Sequence, residues 1–142
     1  MKLHVLCVGR LKESYFQAAE DEYLKRLRRY VDAKVVEVKD DAALIAALPA
    51  RARLIALDSR GETWSSEELA KKLVAEEELR GGGAPIAFLI GGADGLPTEL
   101  LARAQLKLSF GRITLPHRLA RIVLIEQLYR AYTILRGEPY HR

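Results

Sequence analysis

Two hydrophobic patterns alternate along the chain, and together they predict its secondary structure. Short, nearly uninterrupted apolar runs indicate strands, because a strand inside a sheet places side chains in the core on both faces. Segments with apolar residues at helical spacing indicate amphipathic helices. The strand-like runs cover residues 3–8, 34–38, 53–58, 85–90, 106–110 and 113–115, and the helical segments cover 14–30, 42–48, 65–80, a short segment after Pro97, and 119–135.

Specific residues mark the helix boundaries. Ser65 and Glu68 form a capping-box pattern, since the serine hydroxyl can accept a hydrogen bond from a free helix N–H while Glu68 reaches back. The glycines at 81–83 end the same helix. Strands that alternate with helices predict one α/β domain spanning residues 1–142, with a mostly parallel sheet and helices on both faces.

The C-terminal third of the chain is strongly basic. Residues 101–142 contain eight Lys or Arg residues against two Asp or Glu residues, whereas the whole chain has a formal net charge of +4. This asymmetry favours an anionic partner, and nucleic acid phosphate is the commonest one. A solvated helix face explains the same charges equally well.

Composition argues against several other classes of protein. Cys7 is the single cysteine, and the three histidines are far apart without ligand spacing, so we expect neither a disulfide framework nor a metal site. The apolar run after Met1 is too short for a secretory signal, and no stretch reaches membrane-spanning length. We therefore expect a cytoplasmic protein without metal and without a membrane partner.

Three loops follow predicted strands and are candidates for one ligand site. They cover residues 57–61, 90–95 and 111–117. In an open parallel sheet, the carboxyl ends of neighbouring strands form a crevice that binds ligands, so one site built from all three loops is the simplest interpretation.

The second loop contains Gly91 and Gly92, which lack a Cβ and let a ligand approach the backbone closely. Its pattern, G-G-x-x-G after a late strand, does not match the dinucleotide fingerprint, and no Walker lysine follows. Nicotinamide and triphosphate cofactors are therefore disfavoured, while a tight strand-to-helix turn explains the same glycines. In the third loop, Pro116 restricts a backbone that suits hydrogen bonding to a planar heterocycle such as adenine.

The C-terminus carries more chemistry than a chain end usually does. Residues 137–142 read Gly-Glu-Pro-Tyr-His-Arg and provide a turn, an aromatic ring, an imidazole and a guanidinium after a long predicted helix. A tail that starts from a rigid helix could close over a ligand held elsewhere in the chain or on a second subunit.

Taken in order, these motifs resemble the RlmH family of SPOUT-class methyltransferases. They are LDxxG at 57–61, IGGxxG at 90–95, TLPH at 114–117, Glu-Gln-Leu-Tyr-Arg-Ala at 126–131 and PYHR at 139–142, and the resemblance covers essentially the whole chain. Members of that family methylate N3 of a pseudouridine in 23S ribosomal RNA on the assembled ribosome. The resemblance implies the same activity here, with S-adenosylmethionine as cofactor and large-subunit ribosomal RNA as partner.

The resemblance also implies a C-terminal trefoil knot, a feature too rare for composition to predict. It implies that the knot loops form the cofactor site, and that a homodimer places the tail of one subunit near the cofactor of the other. By motif, the expected cofactor contacts are Leu57, Gly91, Gly92, Gly111, Arg112, Ile113, Thr114, Leu115 and Pro116. The apolar face of the last helix gives a second reason to expect a homodimer, because it exceeds what a small domain needs to bury; its residues are Leu119, Ile122, Val123, Leu128 and Tyr132.

Methylation at N3 requires loss of an imide proton, because the neutral nitrogen has no available lone pair in the plane. His141, with a reference pKa of about 6.5, is the candidate base, and Arg142 can stabilise negative charge on the flanking carbonyl oxygens. Tyr140 either stacks on the target base or pins the tail to the dimer surface. Two other functions stay open: a non-catalytic ribosome- or RNA-binding protein, and a SPOUT methyltransferase that acts on another RNA such as transfer RNA.

Overall fold

The computed structural model describes residues 2–75 and 84–141, which contain a five-stranded sheet flanked by helices. In chain order the elements are β1 (Lys2–Val8), α1 (Ser14–Leu27), β2 (Asp32–Val38), α2 (Asp41–Ala46), β3 (Arg53–Thr63), α3 (Ser66–Glu68) with a π-helical continuation (Leu69–Ala75), β4 (Ile86–Ile90), α4 (Thr98–Arg103), β5 (Leu106–Ser109), α5 (His117–Leu135) and a 3-10 helix (Pro139–His141).

The sheet has the strand order β2-β1-β4-β3-β5, and every pairing between these strands is parallel. Successive side chains point to opposite faces. Val5 and Phe88 join a core shared with α1, the π-helical segment and α5, whereas Leu6 and Leu89 pack with residues of α2 and α4. Helices on both faces of a parallel sheet confirm the predicted α/β fold, while the knot and the single-domain organisation stay predictions.

Two assignments made from the sequence are wrong. Residues 57–61 lie inside β3 and not in a loop, because β3 continues past a register shift against β5 between Leu57 and Glu62. This continuation runs very close to β5, because a Cβ on Gly61 would lie 2.6 Å from the Lys107 backbone. Only glycine fits at this position. Residues 113–115 were expected to form a strand, but they lie in the loop between β5 and α5.

The helix predicted from Ser65 begins as expected. The Ser65 hydroxyl accepts from the Glu68 N–H at 3.1 Å, and the Glu68 carboxylate accepts from the Ser65 N–H at 3.0 Å, which completes the capping box. The π-helical continuation then buries Leu69 and Leu73 in the core. The predicted end of this helix, at the glycines 81–83, lies outside the described residues.

The apolar face of α5 is used mostly inside the chain. Ile122, Leu128 and Tyr132 are buried in the core, because α5 packs between α1 and the π-helical segment. The prediction that these residues are a surplus left for dimerisation is therefore wrong. Leu119 and Val123 keep part of their surface exposed.

A buried ion cluster fixes α5 to α1 and β2. The Arg121 guanidinium, in a side chain that is 6% exposed, donates to both carboxylate oxygens of Glu20 and, at 2.7 Å, to Glu37. Glu37 also accepts from the Leu11 N–H at 2.9 Å. Burial acts to raise the pKa of Glu37, but these hydrogen bonds outweigh burial and hold its pKa below the ordinary value. One guanidinium thus joins three elements.

We expect Arg121→Leu to lower the free energy of unfolding by about 3–5 kcal/mol, because Glu20 then stays buried as a carboxylate without its cation. Chemical denaturation at neutral pH measures the change. Lys72→Leu is the matched control, since it breaks the exposed Lys72–Glu68 pair and should cost far less stability than Arg121→Leu. Equal losses in the two variants would contradict the central role of Arg121.

Candidate functional site

The middle of β3, where its register against β5 shifts, meets the carboxyl ends of β4 and β5, and together they form a cleft of about 160 Å³. Its walls are mostly apolar, and among the described residues the ionisable side chains that line it are Asp58 and His117. The lining consists of Leu57, Asp58, Ser59, Ile90, Gly91, Gly92, Gly95, Leu108, Ser109, Phe110, Gly111, Ile113, Thr114, Leu115, His117 and Ala120.

Most of the expected cofactor contacts lie in this cleft, namely Leu57, Gly91, Gly92, Gly111, Ile113, Thr114 and Leu115. Arg112 and Pro116 belong to the same β5–α5 loop but are not among the lining residues. The structure therefore brings the three predicted segments together, even though the first of them lies inside β3 and is not a loop.

Some lining residues were not singled out from the sequence. Ser109 and Phe110 directly precede the third loop, so their position at the end of a strand was a usable signal. Ala120 gave no signal, because its place in the lining depends on how α5 packs. His117 begins α5, and a Cβ on Gly9 would lie 3.9 Å from its Nε2, which places its ring beside the end of β1.

The glycine loop after β4 is a tight turn, and the structural role of glycine differs among its three positions. A Cβ on Gly91 would lie 2.4 Å from the carbonyl carbon of Gly95, so no side chain fits there. Gly95 has φ +79° and donates its N–H to the Gly92 carbonyl at 3.0 Å. Gly92 has room, since its Cβ would meet Val8 at an ordinary 3.5 Å. The turn explains Gly91 and Gly95, and Gly92 is the glycine that the turn does not require.

The loop from β5 to α5 is held at both ends. Gly111 has φ +106°, and its N–H donates to the Ser109 hydroxyl at 3.1 Å. At the other end Pro116 is the N-cap of α5, and its carbonyl accepts from the Ala120 N–H at 2.9 Å. Between these points the segment 113–115 turns toward the cleft, where its backbone can meet a planar ligand.

The tail folds back onto α5 of its own chain. The Tyr140 hydroxyl donates to the Glu126 carboxylate at 2.8 Å, and its ring meets the Tyr129 ring edge-on with centroids 4.5 Å apart. Burial, followed by hydrogen bonding with Glu126 and with Tyr23, raises the pKa of Tyr140 well above its ordinary value, so the phenol stays a neutral donor.

Within one chain the tail and the cleft are separate. Along α5, the residues that contact Tyr140 lie six to ten positions beyond Ala120, which is roughly 9–15 Å at the rise of an α-helix. The backbone of His141 ends the 3-10 helix, and Arg142 lies outside the described residues. The residues that hold Tyr140 and the candidate cofactor cleft thus lie at different positions along α5.

The fold and the cleft at the strand ends define a methyltransferase of the SPOUT class, and comparison with known families agrees. A family model described as "Predicted SPOUT methyltransferase" matches residues 1–141. A solved SpoU methyltransferase from Streptomyces viridochromogenes, in complex with the cofactor AdoMet, shares the fold with a TM-score of 0.55 at 13% identity; the match covers 91% of this chain and 57% of that one.

The relatives among curated proteins are much nearer in sequence. "Ribosomal RNA large subunit methyltransferase H" of Anaeromyxobacter dehalogenans (strain 2CP-C) is 46% identical, with all of both chains covered. The protein of the same name from Sorangium cellulosum is 49% identical, with 99% of each chain covered. The chain therefore belongs to the SPOUT methyltransferases and, within them, to the RlmH family, which confirms the resemblance. In the part of the chain that the structure describes, no helix is long and apolar enough to cross a membrane.

We expect Gly91→Ala to lower the free energy of unfolding by about 1–3 kcal/mol, because its methyl group would overlap the backbone at Gly95. Gly92→Ala is the matched control one position away, where the added methyl group meets Val8 at an ordinary distance, and its stability should stay within about 0.5 kcal/mol of wild type. Thermal and chemical unfolding of both variants measure the difference. A larger loss for Gly92→Ala than for Gly91→Ala would refute this account of the turn.

Proposed function

We propose that this chain is a cytoplasmic S-adenosylmethionine-dependent methyltransferase of large-subunit ribosomal RNA, acting at N3 of a pseudouridine. The observation that carries the proposal is full-length identity of 46% and 49% to relatives named as methyltransferases of large-subunit ribosomal RNA, and the target atom is the one that the resemblance to the RlmH family implies. The cleft supplies a site of suitable chemistry at the edge of the sheet where ligands of parallel folds bind.

The residues of the cleft fit the cofactor. The backbone of residues 113–115 suits the edge of an adenine ring, and the apolar side chains of Leu57 and Leu115 suit its faces. Asp58 can accept hydrogen bonds from the hydroxyl or ammonium groups of the same molecule. When bound, S-adenosylmethionine supplies an electrophilic methyl group to the acceptor nitrogen.

The tail supplies the acid–base chemistry in this proposal. His141 removes the N3 imide proton directly or through a water molecule, which gives the nitrogen an in-plane lone pair. Arg142 stabilises the charge that spreads to the neighbouring carbonyl oxygens. The remaining requirement is that acceptor and methyl donor are held in line.

A homodimer completes the site by placing the tail of one subunit at the cleft of the other. The separation of Tyr140 from the cleft along α5 supports this arrangement, since the tail is fixed to its own helix. Ile113 lines the cleft and is 80% exposed, so a second subunit at the cleft would bury apolar surface there.

We expect His141→Ala to reduce methyl transfer to large-subunit ribosomal RNA by roughly 100-fold or more, because the imide proton loses its acceptor. Calorimetric titration should show S-adenosylmethionine affinity unchanged, and His4→Ala, on β1, should behave as wild type in both assays. Near wild-type turnover of His141→Ala would remove His141 as the base. If the wild-type protein binds no S-adenosylmethionine, the chain is a non-catalytic ribosome- or RNA-binding protein. If it methylates transfer RNA and not ribosomal RNA, it is a SPOUT methyltransferase with a different substrate.

Mixed dimers test action in trans. One subunit lacks residues 140–142 and the other carries Gly92→Leu, which puts a bulky side chain at a residue that lines the cleft. Each parent homodimer should be inactive, whereas mixing equal amounts should restore roughly a quarter of wild-type activity, because half of the dimers then hold one complete site. Action within one chain predicts no recovery at all, and a monomer by sedimentation at micromolar concentration would also overturn the arrangement.

A further inference from the structure

We propose that Glu126 is a positioning residue that holds the catalytic tail through Tyr140, and that Tyr140 serves as the anchor of the tail and not as a platform for the target base. This inference rests on the proposed function for the role of His141. It goes beyond that function by assigning a task to a carboxylate of α5 outside the cofactor cleft.

The contacts of Tyr140 occupy both its hydroxyl and its ring. The hydroxyl donates to Glu126 at 2.8 Å, and the Arg130 guanidinium carbon lies 5.0 Å from the ring centroid. Tyr129 meets the same ring edge-on. An aromatic ring that stacks on an RNA base needs a free face, whereas this ring already has a cation over it and a neighbour against it.

Glu126 is held from several directions, which suits an anchoring point. Arg130 donates to it through Nε at 3.0 Å and Nη2 at 2.7 Å, and the Gln127 side-chain amide donates to its other oxygen at 2.6 Å. The Gln127 carbonyl in turn accepts from the Ser66 hydroxyl at the start of α3. These contacts hold the Glu126 carboxylate in one rotamer independently of Tyr140.

A second attachment lies just before the anchor. The Tyr30 hydroxyl donates to the Glu138 carboxylate at 2.7 Å, and the Glu138 N–H donates to the Thr133 carbonyl at 2.9 Å. Gly137, with φ +66°, makes the turn that lets the chain double back from α5. Two side-chain attachments, at 138 and 140, thus bracket Pro139, and the second lies directly before His141.

The test compares Tyr140→Phe, Glu126→Gln and the double variant as full-length dimers on ribosomal substrate. Removal of the hydroxyl alone leaves ring packing intact, so each single variant should lower kcat by roughly tenfold while S-adenosylmethionine affinity stays unchanged. The double variant should be no worse than either single one, because both break the same contact. Tyr15→Phe, at an exposed tyrosine, and Glu22→Gln, in an exposed Glu–Arg pair with the same spacing, are matched controls and should behave as wild type.

Hydrogen exchange gives a readout that does not depend on activity. The C-terminal peptide from residue 136 onward should exchange roughly tenfold faster in Tyr140→Phe and Glu126→Gln than in wild type or in the controls. Unchanged exchange rates in the single variants, or additive losses of kcat in the double variant, would overturn the role of Tyr140 as an anchor. Full activity of Tyr140→Phe together with an inactive Tyr140→Leu would also overturn it, because that result would show that the ring stacks on the target base. If wild-type protein does not methylate large-subunit RNA, the proposed function fails, while the exchange rates still decide whether Glu126 holds the tail.

Discussion

The buried charge of Arg121 fixes the position of α5, and the rest of the site depends on this helix. Arg121 lies in the second turn of α5 and is bound to α1 through Glu20 and to β2 through Glu37. Since each of these charges is costly to bury alone, α5 cannot rotate or slide without breaking the cluster. The β5–α5 loop, which lines the cleft, leads directly into this helix, and the tail leaves from its other end. One ion cluster therefore sets the position of both.

The same helix separates the β5–α5 loop, which lines the cofactor cleft, from the tail. Its 19 residues span roughly 28 Å, with the cofactor loop at its start and the turn at Gly137 after its end. The tail doubles back as far as Tyr140, which contacts Glu126 and Tyr129, six and nine residues beyond Ala120. A rigid helix cannot shorten this distance, which supports the proposed site shared between subunits.

The sequence predicted those parts of the molecule that local physics determines. The apolar runs located all five strands, and the Ser65–Glu68 capping box located a helix start. The extension of β3 through Gly61 was missed, because it depends on pairing with a strand more than forty residues later. The buried role of Ile122 and Leu128 was missed for a similar reason, since an apolar helix face looks the same whether its partner is in the chain or in another subunit. For the site, motifs found most of the cleft, but they could not show that Tyr140 packs on its own helix.

The anchoring of the tail lowers the entropy cost of using a residue near the end of the chain in a binding site. A free chain end would have to be ordered each time substrate binds, at a cost of roughly 1–2 kcal/mol for every residue fixed. Here residues 138–140 are held in the folded chain by the contacts of Glu138 and Tyr140, with Gly137 making the turn out of α5 and Pro139 restricting the path to the anchor. In the arrangement proposed above, the anchor fixes the residue directly before His141, so assembly of two subunits would complete two sites without the cost of first ordering residues 138–140.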